Sequence, residues 1–429
     1  MPHSPMDRRR FAHLLGLGGA AALLPSRLQD LSAAPAPPLR PRPATPDDAY
    51  WAEVRDQFLV PRDLAPLNAA NLCPSSKGVL QNLYDHTRSI DEDPSPYNRR
   101  KLSEGKETTR QALAEYLRVS PEEIVITRNT SEANNLVSSG LDLGEGDEVV
   151  VFADNHPSNN AAWTEKARRF GYEVRVVNPV SPHRGHEYYL RAFSDLLTSR
   201  TRVFAITHVT NSVGDLFPVK ELCALARDRG VMSLVDGAQS FGVLDVDLSD
   251  MRPDFYTGSA HKWPCGPKEV GVLFINRDVQ SRISPSVISL YCGSTGISRR
   301  MEGMGQRDNP AITAFGDAIR FQMSIGMDAI EARARELAQM LMAGIQTLDG
   351  IKLWTHPDPE RSASVLTFQP GSLDPSRLAQ ALYTNERIIT ASRGGADRPG
   401  IRLSPHFYNL NEEVDRTVVA IARYLRDGV

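Results

Sequence analysis

The sequence predicts an α/β protein: a mainly parallel central sheet followed by a smaller C-terminal α+β domain. Two observations predict it. Short β-branched runs at residues 124–127, 148–152, 173–177, 203–207, 231–235 and 271–275 are mostly unbroken apolar stretches, as strands covered on both faces must be. Amphipathic stretches separate several of them, most clearly at 219–229, which stops at Gly230 just before the next strand. Such alternation is the signature of helices layered on a parallel sheet.

In chain order, the first segment reads as an address. Asp7-Arg8-Arg9-Arg10-Phe11 precedes an Ala- and Gly-rich apolar stretch over 11–24, too short to span a membrane, and then the small residues Ser32-Ala33-Ala34. Residues 1–34 are therefore expected to be a cleavable signal peptide. The paired arginines followed by Phe11 resemble the twin-arginine type, with Asp7 standing where Ser or Thr is usual. That resemblance implies passage through the twin-arginine translocase to a periplasmic or other extracytoplasmic location. The route carries proteins already folded, so a cofactor can be loaded beforehand. Residues 35–49 form a proline-rich linker, and the fold is expected to begin near Tyr50.

The large domain is expected over 50–310. A long helical pattern at 311–348 opens the second domain, 311–429. Strand 364–368, helix 375–384, strand 400–403 and helix 411–425 follow. Chemistry in such an architecture belongs at the carboxyl ends of the parallel strands and between the domains. At 429 residues the chain is long enough for two cores. A net charge of -3 gives no reason to expect nucleic acid as a partner. Cys73, Cys223, Cys265 and Cys292 have none of the short spacings of a zinc or redox pair, so no metal is expected and buried free thiols are. An oxidising compartment leaves a disulfide open.

Four stretches carry chemistry. In Leu234-Val-Asp236-Gly-Ala-Gln239, a carboxylate follows a buried strand, where leaving it unpaired would be costly. Pyridoxal-phosphate (PLP) chemistry needs a carboxylate there, against the pyridine nitrogen, and Gln239 can reach the ring's phenolic oxygen. A strand-end Asp is equally a common cap or turn residue. In Ser259-Ala-His261-Lys262-Trp263, the lysine precedes the strand at 271–275. Lys262 would carry the cofactor as a Schiff base, exchange it for the substrate amine and move the Cα proton, with Ser259 and His261 on the phosphate. The third stretch, Arg128-Asn-Thr130-Ser131, passes from strand to helix start, where free N–H groups and hydroxyls suit a phosphate or merely cap the helix. The fourth, Asp154-Asn-His156-Pro157, offers an imidazole that could stack on the cofactor ring or be an ordinary loop histidine.

In this order the four stretches resemble the class V branch of fold-type I PLP enzymes, over nearly the whole chain from Tyr50. That branch holds cysteine desulfurases, small-substrate transaminases and isopenicillin N epimerase-like proteins. Thr127-Arg-Asn-Thr-Ser-Glu-Ala and Ser259-Ala-His-Lys-Trp are most similar to the last subgroup, and with the export signal they resemble exported members that tailor pyoverdine siderophores. The resemblance implies further roles. In Thr207-His-Val-Thr-Asn211, Asn211 would sit near the phenolic oxygen. In Ile401-Arg402-Leu-Ser-Pro-His-Phe-Tyr-Asn, Arg402 would grip a substrate carboxylate, its alternative being a domain-interface salt bridge. It also implies a homodimer in which Gln306 stands where the family often places a Thr that touches the partner's phosphate.

One departure is informative. A persulfide-forming desulfurase needs a cysteine shortly before the carboxylate-binding arginine. Here that region reads Ala391-Ser392-Arg393-Gly-Gly-Ala-Asp397, and no cysteine follows Cys292. Three readings stay open: transamination of a small amine or amino-acid-like substrate; an epimerase or C–S/C–N lyase that regenerates its own cofactor; and a silent PLP-fold binding protein. Extracytoplasmic scarcity of keto acids favours the second.

Overall fold

The computed structural model describes residues 39–394 and 397–429. The twin-arginine stretch, the apolar run at 11–24, the expected cleavage region and the first part of the linker lie outside the described residues.

Strands β1 (Ile124–Thr127), β2 (Glu148–Phe152), β3 (Glu173–Val177), β4 (Thr201–Thr207), β5 (Met232–Asp236), β6 (Phe255–Ser259) and β7 (Gly271–Ile275) form one sheet in the order β1-β7-β6-β5-β4-β2-β3. Only β7 runs antiparallel to its neighbours in this sheet; the other pairings are parallel. The apolar runs have the expected cause. Val150, Phe152, Phe204 and Ile206 enter the core on one face, whereas Val149, Val151, Val203 and Ala205 enter a second core on the other. Successive side chains alternate, so a strand buried on both sides is apolar throughout. β3, at the edge, is largely exposed.

Strand β6 is not expected from the sequence, because Thr257, Gly258 and Ser259 weaken its apolar signal. It is nonetheless buried along its length between β5 and β7.

Helices α1 (Lys77–Glu92), α2 (Pro96–Leu117), α3 (Thr130–Gly140), α4 (Pro157–Phe170) and α5 (Val219–Asp228) cover the sheet region. The single helix expected over 311–348 is two, α6 (Asn309–Ile325) and α7 (Met327–Gln346). Gly326 separates them at φ +94°, a backbone state that ends a right-handed helix and that side chains disfavour. The apolar pattern runs on across the break, which hides it from periodicity.

The first helix serves the sheet's core, whereas the second is shared: Ala329, Ile330 and Ala334 join that core and its later turns join another. Ile312, Phe315 and Ile319 of α6 join the sheet's core, and the Thr109 hydroxyl of α2 donates to the Ile312 carbonyl at 3.0 Å. Leu337, Leu341 and Ile345 of α7 instead join a separate C-terminal core with Phe368, Leu382, Ile401, Leu403 and Ile421. That core lies around an antiparallel sheet of β8 (Ile351–Leu353), β9 (Leu366–Pro370), β10 (Ala391–Arg393) and β11 (Gly400–Leu403), ordered β10-β11-β9-β8. Helices α8 (Pro375–Glu386) and α9 (Asn411–Asp427) complete it.

Two contacts hold the N-terminal part of the fold against this unit. Ala65–Pro66 pairs in parallel with Ile388–Ile389, and the Ser404 N–H donates to the Leu67 carbonyl at 2.8 Å. Residues 68–71 are thereby brought beside β11. All four cysteines are free thiols, three of them buried. Among the described residues no helix is long and apolar enough to cross a membrane.

Candidate active site

Because β7 is the only reversed strand in the large sheet, the carboxyl ends of β1, β2, β4, β5 and β6 open on one edge. The loops that leave them, together with residues 68–71 and strands β10 and β11, enclose a cavity of about 520 Å³. Every site residue expected from the sequence lines it: Thr130, Ser131, His156, Asn211, Asp236, Gln239, Ser259, His261, Lys262 and Arg402. Thr130 and Lys262, 132 positions apart, converge because the strands of this sheet end at the same edge, and Arg402 joins them from β11.

Asp236 closes β5 and is buried. It has no arginine partner within ion-pair distance among the described residues. Neutral donors satisfy it: the side-chain amides of Asn134 and Asn159 reach Oδ2 at 2.8 and 3.1 Å, and the Ala238 N–H reaches Oδ1 at 3.0 Å. Neither asparagine is picked out by the sequence. A polar residue on a helix usually faces water, and nothing local says otherwise.

Lys262 follows β6 by three residues. Its amine makes no hydrogen bond or ion pair with a described residue. Burial depresses it to about 8 from the ordinary 10.5; nearby Arg402 adds to the effect and Asp236 opposes it. The same removal from water, with Lys262 close by, lowers His261 to about 4 and pushes His156 down as well. His156 caps α4, its Nδ1 accepting the Ser158 N–H at 3.3 Å.

At the other end lies a cluster of donors. Asn129 performs the capping of α3, accepting the Glu132 N–H at 3.0 Å, which frees the Thr130 and Ser131 hydroxyls from that task. Ser259 Oγ accepts the Thr130 N–H at 2.9 Å and lies 2.8 Å from Thr130 Oγ1. Hydroxyls at a helix N-terminus favour a bound anion.

Arg402 lies on β11 and forms no salt bridge among the described residues. Nη1 donates to the Asn211 carbonyl and Nη2 to Asn68 Oδ1, each at 2.9 Å, and buried Nε has no partner among the described residues. Three of its five N–H groups thus remain for a ligand. Burial first, then the charge of Arg393, lowers Arg402 to about 10. Arg393 also lines the cavity without an ion pair among the described residues, whereas Arg398 on the same hairpin is taken by Asp154 at 2.8 Å. Lys262, Arg393 and Arg402 face one carboxylate, Asp236, so the cavity is built for anions.

One expectation is modified. Gln239 is already engaged: Oε1 accepts the Trp263 indole N–H at 2.8 Å and Nε2 donates to the Ala70 carbonyl at 3.0 Å. Only its second amide N–H is left for the cavity. Gln306, whose expected contact is with a partner's site, accepts from Arg99 through its Oε1 at 3.3 Å. Among the described residues no cysteine lines the cavity.

Comparison with known proteins gives three findings. The family model for Aminotransferase class-V matches residues 80–417. Isopenicillin N epimerase of Streptomyces clavuligerus is 30% identical over 390 residues, 87% of this chain and 98% of its own length; a probable cysteine desulfurase of Methanothermobacter thermautotrophicus is 30% identical over 397 residues, 84% and 95%. Among solved structures, a C-DES lysine-to-alanine mutant with glycine covalently linked to its PLP cofactor superposes with a TM-score of 0.79 at 24% identity, over 88% of this chain and 99% of that one.

Proposed function

The chain belongs to the class V aminotransferase family of PLP enzymes, and from that premise we propose that it works at the amine-bearing carbon of an amino-acid-like substrate in a cycle that restores its own cofactor. The observation that carries this reading is the Lys262 amine, half-buried and without a partner among the described residues, in a cavity whose described lining holds one carboxylate and a set of anion-binding donors.

The residues fit the cofactor. A lysine with no ion partner, an aspartate satisfied only by neutral groups, and hydroxyls at the start of α3 match its aldehyde, ring nitrogen and phosphate in turn. When bound, PLP supplies a sink for the electron pair left when a bond to the amine-bearing carbon breaks. Thr130, Ser131, Ser259 and His261 would hold the phosphate and Asp236 the ring nitrogen. His156 would lie on a ring face, with Asn211 and the free Gln239 N–H by the phenolic oxygen. Arg402 orients the substrate through its carboxylate, and Arg393 adds positive charge at the same wall. With its amine held near 8, Lys262 has a neutral fraction at physiological pH and can take a proton from the substrate carbon.

A self-restoring cycle is supported by the likeness to isopenicillin N epimerase across 98% of that enzyme's length. It is supported too by the twin-arginine stretch, since keto-acid acceptors should be scarce outside the cytoplasm. Export, a homodimer, and a free or siderophore-type peptide substrate belong to the same proposal. Elimination of a sulfur or nitrogen leaving group is the second reading, favoured by the likeness to cysteine desulfurases; with no cysteine among the described lining residues it would release its product rather than form a persulfide on the protein.

The test mixes holoenzyme with a panel of amino acids and peptide amines while the visible band of the lysine-bound cofactor is followed. A band that returns after each turnover is expected. Lasting, stoichiometric conversion to pyridoxamine phosphate without a keto acid would overturn the self-restoring cycle. A Lys262→Ala protein that still shows the visible band would overturn the lysine assignment.

A further inference from the structure

We infer that Asn134 and Asn159 are positioning residues that hold Asp236 as a carboxylate and reserve its Oδ1 for the cofactor's ring nitrogen. The inference rests on the reading above that Asp236 partners that nitrogen, and it goes further by assigning the charge state and the oxygen.

A carboxylate offers about two acceptor positions per oxygen. Oδ2 has both filled, by Asn134 Nδ2 and Asn159 Nδ2, while Oδ1 accepts only the Ala238 N–H and keeps one position open. A proton placed on Oδ2 would point at N–H donors with nothing to receive it. Only Oδ1 can take a further partner.

The clamp works only if the amides cannot turn round, and the surroundings prevent it. Asn159 Oδ1 accepts the Trp163 indole N–H at 3.1 Å, and an indole can only donate. Reversing Asn159 would set its NH2 against that N–H and its oxygen against the carboxylate. Asn134 Oδ1 is met by the Thr257 hydroxyl at 3.0 Å. A hydroxyl can exchange roles, but a reversed Asn134 would still set its oxygen against Asp236 Oδ2. Asn134, Asn159, Trp163 and Thr257 are all at most 2% exposed, so water does not substitute for a lost partner.

The fold supplies each part from a different element. Asn159 and Trp163 lie one turn apart on α4, Asn134 is on α3, and Thr257 on β6 stands directly beside Asp236 in the sheet. Facing Asp236 there are also Lys262 and His156 from the loops after β6 and β2, and the Tyr256 phenol from β6. None of these bonds to the carboxylate. The amides therefore decide its state without adding a charge, whereas an arginine in their place would compete with the ring nitrogen for it.

A carboxylate at Asp236 would keep the ring nitrogen protonated, and a protonated ring would draw electrons from the lysine-linked end and make that end release its proton more readily. Loosening the clamp would weaken the hold on the ring nitrogen's proton, so the linked nitrogen would keep its own proton to higher pH. The experiment uses holoenzyme with Asn134→Leu and Asn159→Leu, near-isosteric and apolar. Thr257→Val is the gentler variant; it keeps both amides and removes one orienting hydroxyl. Three quantities are read: cofactor content, the pH midpoint of the visible band, and kcat against KM for the best amine in the panel.

Both Leu variants should load cofactor, raise the midpoint by about one pH unit, and lower kcat roughly ten- to a hundredfold with KM within about threefold. Thr257→Val should move the midpoint the same way by less, and it decides the matter if the Leu variants do not fold. Parent-like midpoints and kcat, or a loss confined to KM, would overturn the clamp. That failure is distinct from failure of the underlying function, in which the parent protein would take up no cofactor on Lys262.

Discussion

Replacing Lys262 with methionine should make the cofactor-free protein more stable at neutral pH while abolishing cofactor attachment. The structure supplies the magnitude. Burial, with Arg402 nearby, outweighs the attraction of Asp236 and brings the amine from 10.5 to about 8. A depression of that size corresponds to about 3 kcal/mol. The sign follows from proton binding. In the unfolded chain the lysine holds its proton up to about 10.5, but in the folded protein only to about 8. Between those values the unfolded state carries more protons, so stability rises with pH. Below about 8 the amine is charged in both states and the full penalty stands. Methionine is similar in length and uncharged, so it removes the penalty. The assay is urea unfolding of the cofactor-free parent and Lys262→Met proteins from pH 7 to pH 10.5. The variant should be more stable by about 3 kcal/mol at pH 7, with the gap closing as pH climbs through the window. A variant no more stable than the parent at pH 7, or a gap indifferent to pH, would refute the claim that this lysine is held against its own solvation.

Other outcomes follow from the same geometry. Arg402→Lys loses the planar fork that leaves three N–H groups open beside Asn68 and Asn211, so carboxylate-bearing amines should bind roughly ten- to a hundredfold more weakly with cofactor affinity unchanged, as read by titrating the visible band. Ser259→Ala removes the oxygen that meets both the N–H and the hydroxyl of Thr130, and should weaken cofactor retention about tenfold in equilibrium dialysis. Gly214→Ala would put a Cβ 1.9 Å from the Val365 carbonyl oxygen at φ +78°, and a thermal melt should show a loss of about 2 kcal/mol or more.

Much of this protein is written locally. Strands buried on both faces must be apolar at every position, which is why β1, β2, β4, β5 and β7 stand out, and Gly230 marks the end of the α5 region. Asp236, His156 and Thr130 are legible for a related reason: each sits where an apolar run gives way to polar residues, and in a parallel sheet those junctions meet at one edge, whereas Lys262 is legible from the Ser259-Ala-His-Lys-Trp motif alone. The sequence by itself therefore determined the layered α/β architecture and the main membership of the cavity. Only the tertiary structure decided β6, whose Thr257, Gly258 and Ser259 look like loop until β5 and β7 are seen on either side, and the break at Gly326, which an unbroken apolar pattern conceals. It alone decided that Gln239 is spent on Trp263 and Ala70, and that Asn134 and Asn159 point inward at a carboxylate 102 and 77 residues away. Periodicity reports whether a side chain is buried, because burial repeats with the local backbone. A hydrogen bond between two buried groups depends on which distant segments meet, and no local pattern encodes that.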